Sequence, residues 1–142
     1  MKEMTYFIQV SGYIHIILGL MHIPFFWKKL FKEWEESINI LSLLHFKLIN
    51  TLLLVVTLIL LSIGILLLIY SEAIARNAMN LLWFWGGMSL FWWWRTLWQT
   101  FYFYQINIRK SKIYLKMLTI TMIASFFANA LIFSKPIFRI LG

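Results

Sequence analysis

Arg95 lies inside the tryptophan-rich stretch FWWWRTLWQTFYF, and no apolar stretch of the chain holds an Asp or Glu to neutralise it. A charge at that depth costs at least ~2.5 to 3.5 kcal/mol by insertion scales, so its presence calls for a polar cavity, a hydrogen-bonded helix interface or an anionic ligand. Helical spacing puts Trp92, Arg95, Gln99 and Tyr102 at i, i+3, i+7 and i+10, so an indole, a guanidinium, an amide and a phenol share one surface. Such a surface suits a flat or anionic guest, with Arg95 holding its carboxylate, phosphate or carbonyl and Trp92 stacking on it. The blander account is volume filling, with Arg95 satisfied by backbone carbonyls, Asn50 or a neutral His15. That account leaves the positive charge uncompensated.

The first apolar stretch offers Gly12, His15, Gly19 and His22 in 3-4-3 spacing, hence on one helical face. The glycines remove bulk beside each imidazole, which makes room for a neighbouring helix or a guest. Seven residues separate the two histidines, about 10.5 Å along the axis, so they cannot ligate one metal ion together. His15 is the one midplane side chain suited to carrying a proton near neutral pH. Simple hydrogen bonds across a helix interface explain either imidazole without any ligand. His45 opens the second apolar stretch at the same membrane face as His22, and a His22–His45 pair is what a six-coordinate haem iron needs. No haem attachment motif accompanies the pair, and a solvated interfacial histidine accounts for His45 equally well. No other metal site is expected.

These positions need helices to hold them, and composition says in what solvent. Of the 142 residues 62% are hydrophobic and 13% charged, with a mean hydropathy of +0.81, which a water-soluble globule of this size cannot hide. Asp is absent and all five Glu (Glu3, Glu33, Glu35, Glu36, Glu72) fall outside the apolar stretches, which excludes the carboxylate machinery of proton pumps and two-carboxylate hydrolases. Cysteine is absent, removing thiolate metal sites and thiol redox chemistry. The net charge of +8 does not point to nucleic acid, because the basic residues sit in short segments between apolar stretches, where they face lipid headgroups.

Four stretches reach the ~20 apolar residues a span requires, at about 5–26, 43–70, 79–104 and 114–134. The expected fold is therefore an all-α membrane protein, a four-transmembrane-helix bundle forming one domain over 1–142. The first stretch carries Gln9, His15 and His22 and no small-x-small cleavage site, so it is expected to be a retained span. Between the first two spans, Trp27, Leu30, Phe31 and Trp34 recur at i, i+3, i+4 and i+7 opposite Lys28, Lys29, Lys32, Glu33, Glu35 and Glu36. This predicts a short amphipathic helix lying in the membrane surface.

Lys28, Lys29, Lys32 and Lys47 flank the first connection, and Arg109, Lys110, Lys112 and Lys116 flank the third; the other face has Lys2, Arg76, Lys135 and Arg139. That imbalance puts both termini outside a bacterial cytoplasmic membrane. Two weakly polar stripes, Asn50/Thr57/Gly64 and Thr121/Ser125/Asn129, read as interhelical glue. Trp83 and Trp85 suit an interfacial belt, whereas Trp92, Trp93, Trp94 and Trp98 lie deeper, some of them necessarily against lipid. In antiparallel helices His15 and Arg95 share the midplane, giving a candidate polar track His15, Arg95, Gln99, His22.

The order SGYIHIILGLMHIPFFW, an interfacial Lys- and Trp-containing segment, LLHFKLINTLL and FWWWRTLWQTFYF resembles a family of small uncharacterised bacterial membrane proteins. That family pairs His-x3-Gly-x2-His in helix one, here His15, Gly19 and His22, with Arg-x3-Gln in helix three, here Arg95 and Gln99. The resemblance covers roughly 11–104 and implies four spans without implying a reaction. The residues themselves leave three readings: a binder of a small flat or anionic amphiphile of quinone, lipid or porphyrin type; an accessory subunit or homo-oligomer docking on a membrane protein partner; and, less well matched, a transporter or channel.

Overall fold

An apolar run that crosses a bilayer has to be helical, because its backbone polar groups would find no water in hydrocarbon and must satisfy one another within the segment. The computed structural model describes residues 2–23, 43–77, 80–103 and 113–141, and every element among them is helical. In chain order these are α1 (Lys2–Met21), α2 (Leu43–Ile69), the short α3 (Ser71–Arg76), α4 (Leu82–Trp98) continuing into a π-helical turn (Gln99–Phe103), and α5 (Ile113–Leu141). Among the described residues three helices are long and apolar enough to cross a membrane, over Lys2–Met21, Lys47–Ile69 and Lys116–Arg139. The 17 residues of α4, about 25 Å of α-helix, fall short of a ~30 Å core on their own; the π turn extends them. The amphipathic helix expected around 27–36 lies outside the described residues.

Two boundaries differ from the sequence reading, each for a local reason. The first span was expected to run to residue 26, but α1 ends at Met21. The His22 N–H is shared between the Leu18 and Gly19 carbonyls at 3.1 and 3.0 Å, and Ile23 precedes a proline, which disfavours helical backbone at that residue. The last span was expected to end at 134, but α5 continues through Pro136 to Leu141. Lys135, just beyond the expected span, is accommodated: its ammonium bonds Glu3 and sits 3.9 Å from the centre of the Phe7 ring.

The chain divides into two compact units. One comprises residues 12–69, the later part of α1 with α2. Here the glycines bring backbones together: a Cβ on Gly64 would lie 2.7 Å from Ile16 and 2.9 Å from the Gly12 carbonyl, and one on Gly12 2.9 Å from Leu68. The space beside the glycines is therefore filled by the partner helix, the first of the two uses the sequence allowed. The outer side of α2 is a field of exposed Leu, Ile and Val.

The other unit comprises residues 1–11 and 70–142. In it α4 buries Trp85, Ser89, Trp92, Thr96 and Gln99, spaced 4-3-4-3, against Met122, Phe126, Asn129 and Phe133 of α5, spaced 4-3-4. This is a seven-residue repeat on both helices, the pattern of knobs set into holes. Trp92 packs on Phe126 with ring centres 5.5 Å apart, and Trp85 on Phe133 at 5.7 Å. Polar links lock the register: Ser134 Oγ donates to the Ala130 carbonyl at 2.7 Å, so it accepts from Ser89 at 2.7 Å and from the Trp93 N–H at 3.1 Å. Ser11 donates to Asn129 Oδ1 at 2.6 Å, tying the start of α1 to α5.

Candidate functional site

Arg95 emerges from the edge of the buried α4 stripe. Its guanidinium lies 5.3 Å from the centre of the Phe126 ring, the ring on which Trp92 packs from the other contact. The arrangement follows from the spacing: Trp92 and Thr96 are buried against α5, so Arg95 is turned to the flank of that interface and is half-buried. The aromatic face supplies partial compensation for its charge. Among the described residues no carboxylate lies within ion-pair distance, because Glu72 pairs with Arg76 at 3.0 Å and Glu3 with Lys135.

Gln99 follows Arg95 by one turn and is 6% exposed. Among the described residues its Oε1 has no hydrogen-bond donor. A buried amide oxygen without a donor is costly, more so in a low dielectric, and marks a position where a donor from another molecule is favoured. Gln99 also opens the π-helical turn, and two threonine hydroxyls bond back onto the helix around it. Thr96 Oγ1 donates to the Trp92 carbonyl at 2.7 Å and Thr100 Oγ1 to the Thr96 carbonyl at 2.8 Å, while the Gln99 N–H divides between the Arg95 and Thr96 carbonyls. Threonine hydroxyls bonding back onto the ladder loosen it, and π turns of this kind recur at functional sites.

The chain matches no family model, no curated protein and no solved structure. The reading of the site therefore rests on its own chemistry.

Trp92, Arg95 and Gln99, expected on one face, all border the α4–α5 packing, with Trp92 and Gln99 buried and Arg95 at its margin. Tyr102 lies within the π turn, and its side chain is outside the described residues. His15 and His22 belong to the unit of residues 12–69, so the track of His15, Arg95, Gln99 and His22 draws on both units. His15 is fully buried, and His22 donates its Nδ1–H to the Leu18 carbonyl at 2.7 Å, bonding its own helix. The His45 side chain lies outside the described residues. Among the described residues no three His, Cys, Asp or Glu side chains converge to hold a metal ion.

Three expectations about polar and aromatic positions need correction. Trp85 is not a belt residue: it is 0% exposed, while Trp83 is 93% exposed. Thr121 and Ser125 do not glue helices together; they donate to the Met117 and Thr121 carbonyls of their own helix at 2.9 and 2.8 Å, and only Asn129 of that stripe bonds another helix. Thr57, too, is spent on its own helix, on the Leu53 carbonyl at 2.8 Å. Phe126, which completes the Arg95 environment, was missed. The repeat Met122, Phe126, Asn129, Phe133 is the signal that could have found it.

Proposed function

We propose that the chain is a multi-pass protein of a bacterial cytoplasmic membrane, with α4 and its π turn as the remaining span of a four-helix bundle and both termini outside. In this reading it belongs with the small four-span proteins it resembles and binds a small flat or anionic amphiphile of quinone, lipid or porphyrin type. Arg95 takes the guest's carboxylate, phosphate or carbonyl oxygen, a donor on the guest reaches Gln99 Oε1, and the indole and phenyl rings of Trp92 and Phe126 wall the site. The observation that carries the reading is a pair one turn apart: among the described residues, a guanidinium without a carboxylate and a buried amide oxygen without a donor. Burial in an apolar medium makes each of these favour a polar partner. No step of catalysis is assigned.

Native mass spectrometry of protein released from its own membrane tests this. A bound organic mass carrying an acidic or carbonyl group supports it, and an absorption spectrum of the same sample tells a porphyrin from the colourless guests. Arrival of the chain alone contradicts it.

A second reading draws on a different feature. The outward side of α4 exposes Trp83, Leu90, Trp94, Leu97 and Phe101, and a Cβ on Gly86 or Gly87 would meet nothing within 4 Å. An accessory subunit docking there on another membrane protein, or on a second copy, fits that surface, and a second chain in the mass spectrum would favour it.

A further inference from the structure

A second polar site lies at the opposite end of the same unit from the π turn's chemistry, in a cleft of about 310 Å³ lined by Lys2, Thr5, Tyr6, Gln9, Glu72 and Arg76. Its position follows from the chain. Lys2 begins the first apolar helix, and Glu72 and Arg76 follow directly after the apolar run that ends at Ile69, so the cleft sits where both chain segments meet the headgroup layer. Exposed Tyr6 and Tyr70 are the aromatic residues expected at that depth.

The lining holds both signs of charge. Arg76 spends one N–H on Glu72 at 3.0 Å, and a guanidinium has five, so it keeps donors for a further anion. Lys2 adds a second cation. Glu72 gives one oxygen to Arg76 and retains acceptor capacity on an exposed carboxylate. Gln9 is steadied from below, its Nε2 donating to Ser71 Oγ at 3.3 Å. A bare phosphate would use the cations and be repelled by the carboxylate. A ligand bearing a phosphodiester and a primary ammonium matches both signs of charge. We infer that this cleft binds the headgroup of an aminophospholipid, its phosphate on Lys2 and Arg76 and its ammonium on Glu72. The volume is that of a small-ligand pocket, and the ligand reaches it laterally from the bilayer.

The inference does not depend on Arg95 and is tested separately from it. The full-length protein in nanodiscs is exchanged against phosphatidylethanolamine, phosphatidylcholine and phosphatidylglycerol, and retained lipid is read by native mass spectrometry. Phosphatidylethanolamine is expected to be retained over phosphatidylcholine, which has no ammonium N–H to give Glu72, by about tenfold, the size of one charge-assisted hydrogen bond. Glu72→Gln is expected to abolish that preference, and Lys2→Gln with Arg76→Gln to reduce retention of all three lipids. All three side chains are at the surface, and an unchanged helical circular dichroism spectrum serves as the folding control. Arg95→Leu should leave the preference intact, which separates this site from the one on α4. Equal retention of the three lipids by the unaltered protein overturns the proposal. Displacement of the lipid by soluble glycerophosphoethanolamine at matched concentration overturns the membrane as the source.

Discussion

The two units solve helix packing in opposite ways. In residues 12–69 the helices meet through Gly12, Gly19 and Gly64, backbone against backbone, with the intervening volume closed by Leu61, Leu68 and Ile16. In the unit containing α4 and α5 the contact is made by large rings and hydroxyls, and it leaves Arg95 without a carboxylate and the Gln99 carbonyl without a donor among the described residues. Small-residue packing brings the two backbones together and leaves no room for a side chain at Gly12 or Gly64. Aromatic packing keeps a heptad register while tolerating a cation at its margin and a π turn at its end. The space between the glycines is closed, so the proposed guest belongs beside Arg95 and not between them.

Substitutions that probe the closed side should have the largest effect. Gly64→Val drives two methyl groups toward a carbonyl already 2.9 Å from the Cβ position, so a loss of about 2 to 3 kcal/mol is expected in a denaturant titration in mixed micelles. Stability within ~0.5 kcal/mol of the unaltered chain would mean that the glycine contact is not tight. On the aromatic side Ser134→Ala removes the acceptor of both Ser89 and Trp93, and about 1 to 2 kcal/mol should be lost in the same titration. Gly87 offers the sharpest contrast with Gly64. A Cβ there meets nothing, so Gly87→Ala should stabilise by about 0.5 to 1 kcal/mol through helix propensity alone, unless a partner covers that face. Smallest of all, Trp94→Leu on the exposed face should stay within ~0.5 kcal/mol, whereas a dimer or complex lost on this change, seen by size-exclusion chromatography, would favour the docking reading.

Much of the helical architecture was legible because a long apolar run has few alternatives to helix: the run at 43–70 maps onto α2, and that at 114–134 lies within the longer α5. Finer features were legible only where spacing matched the true period. Thr121, Ser125 and Asn129 step by four, which rotates each successive residue about 40° around the axis and carries the stripe off the buried face. The heptad through Met122, Phe126, Asn129 and Phe133 stays on it, and only that spacing, not residue type, sets Phe126 apart from the exposed Phe127. Arg95 and Gln99 stood out from the sequence because their polarity is expensive there. Nothing in the sequence marked Ser134 as the shared acceptor of two α4 donors, since that role exists only once two distant helices are in register.

The proposed guest at Arg95 is tested most directly by removing the guanidinium. Unaltered protein and Arg95→Leu, extracted under identical conditions, should be compared by native mass spectrometry together with their thermal melting. A folded variant with an unchanged melting curve that has lost its bound organic mass, by at least tenfold in occupancy, is the expected result. A variant equally folded and equally loaded would contradict it.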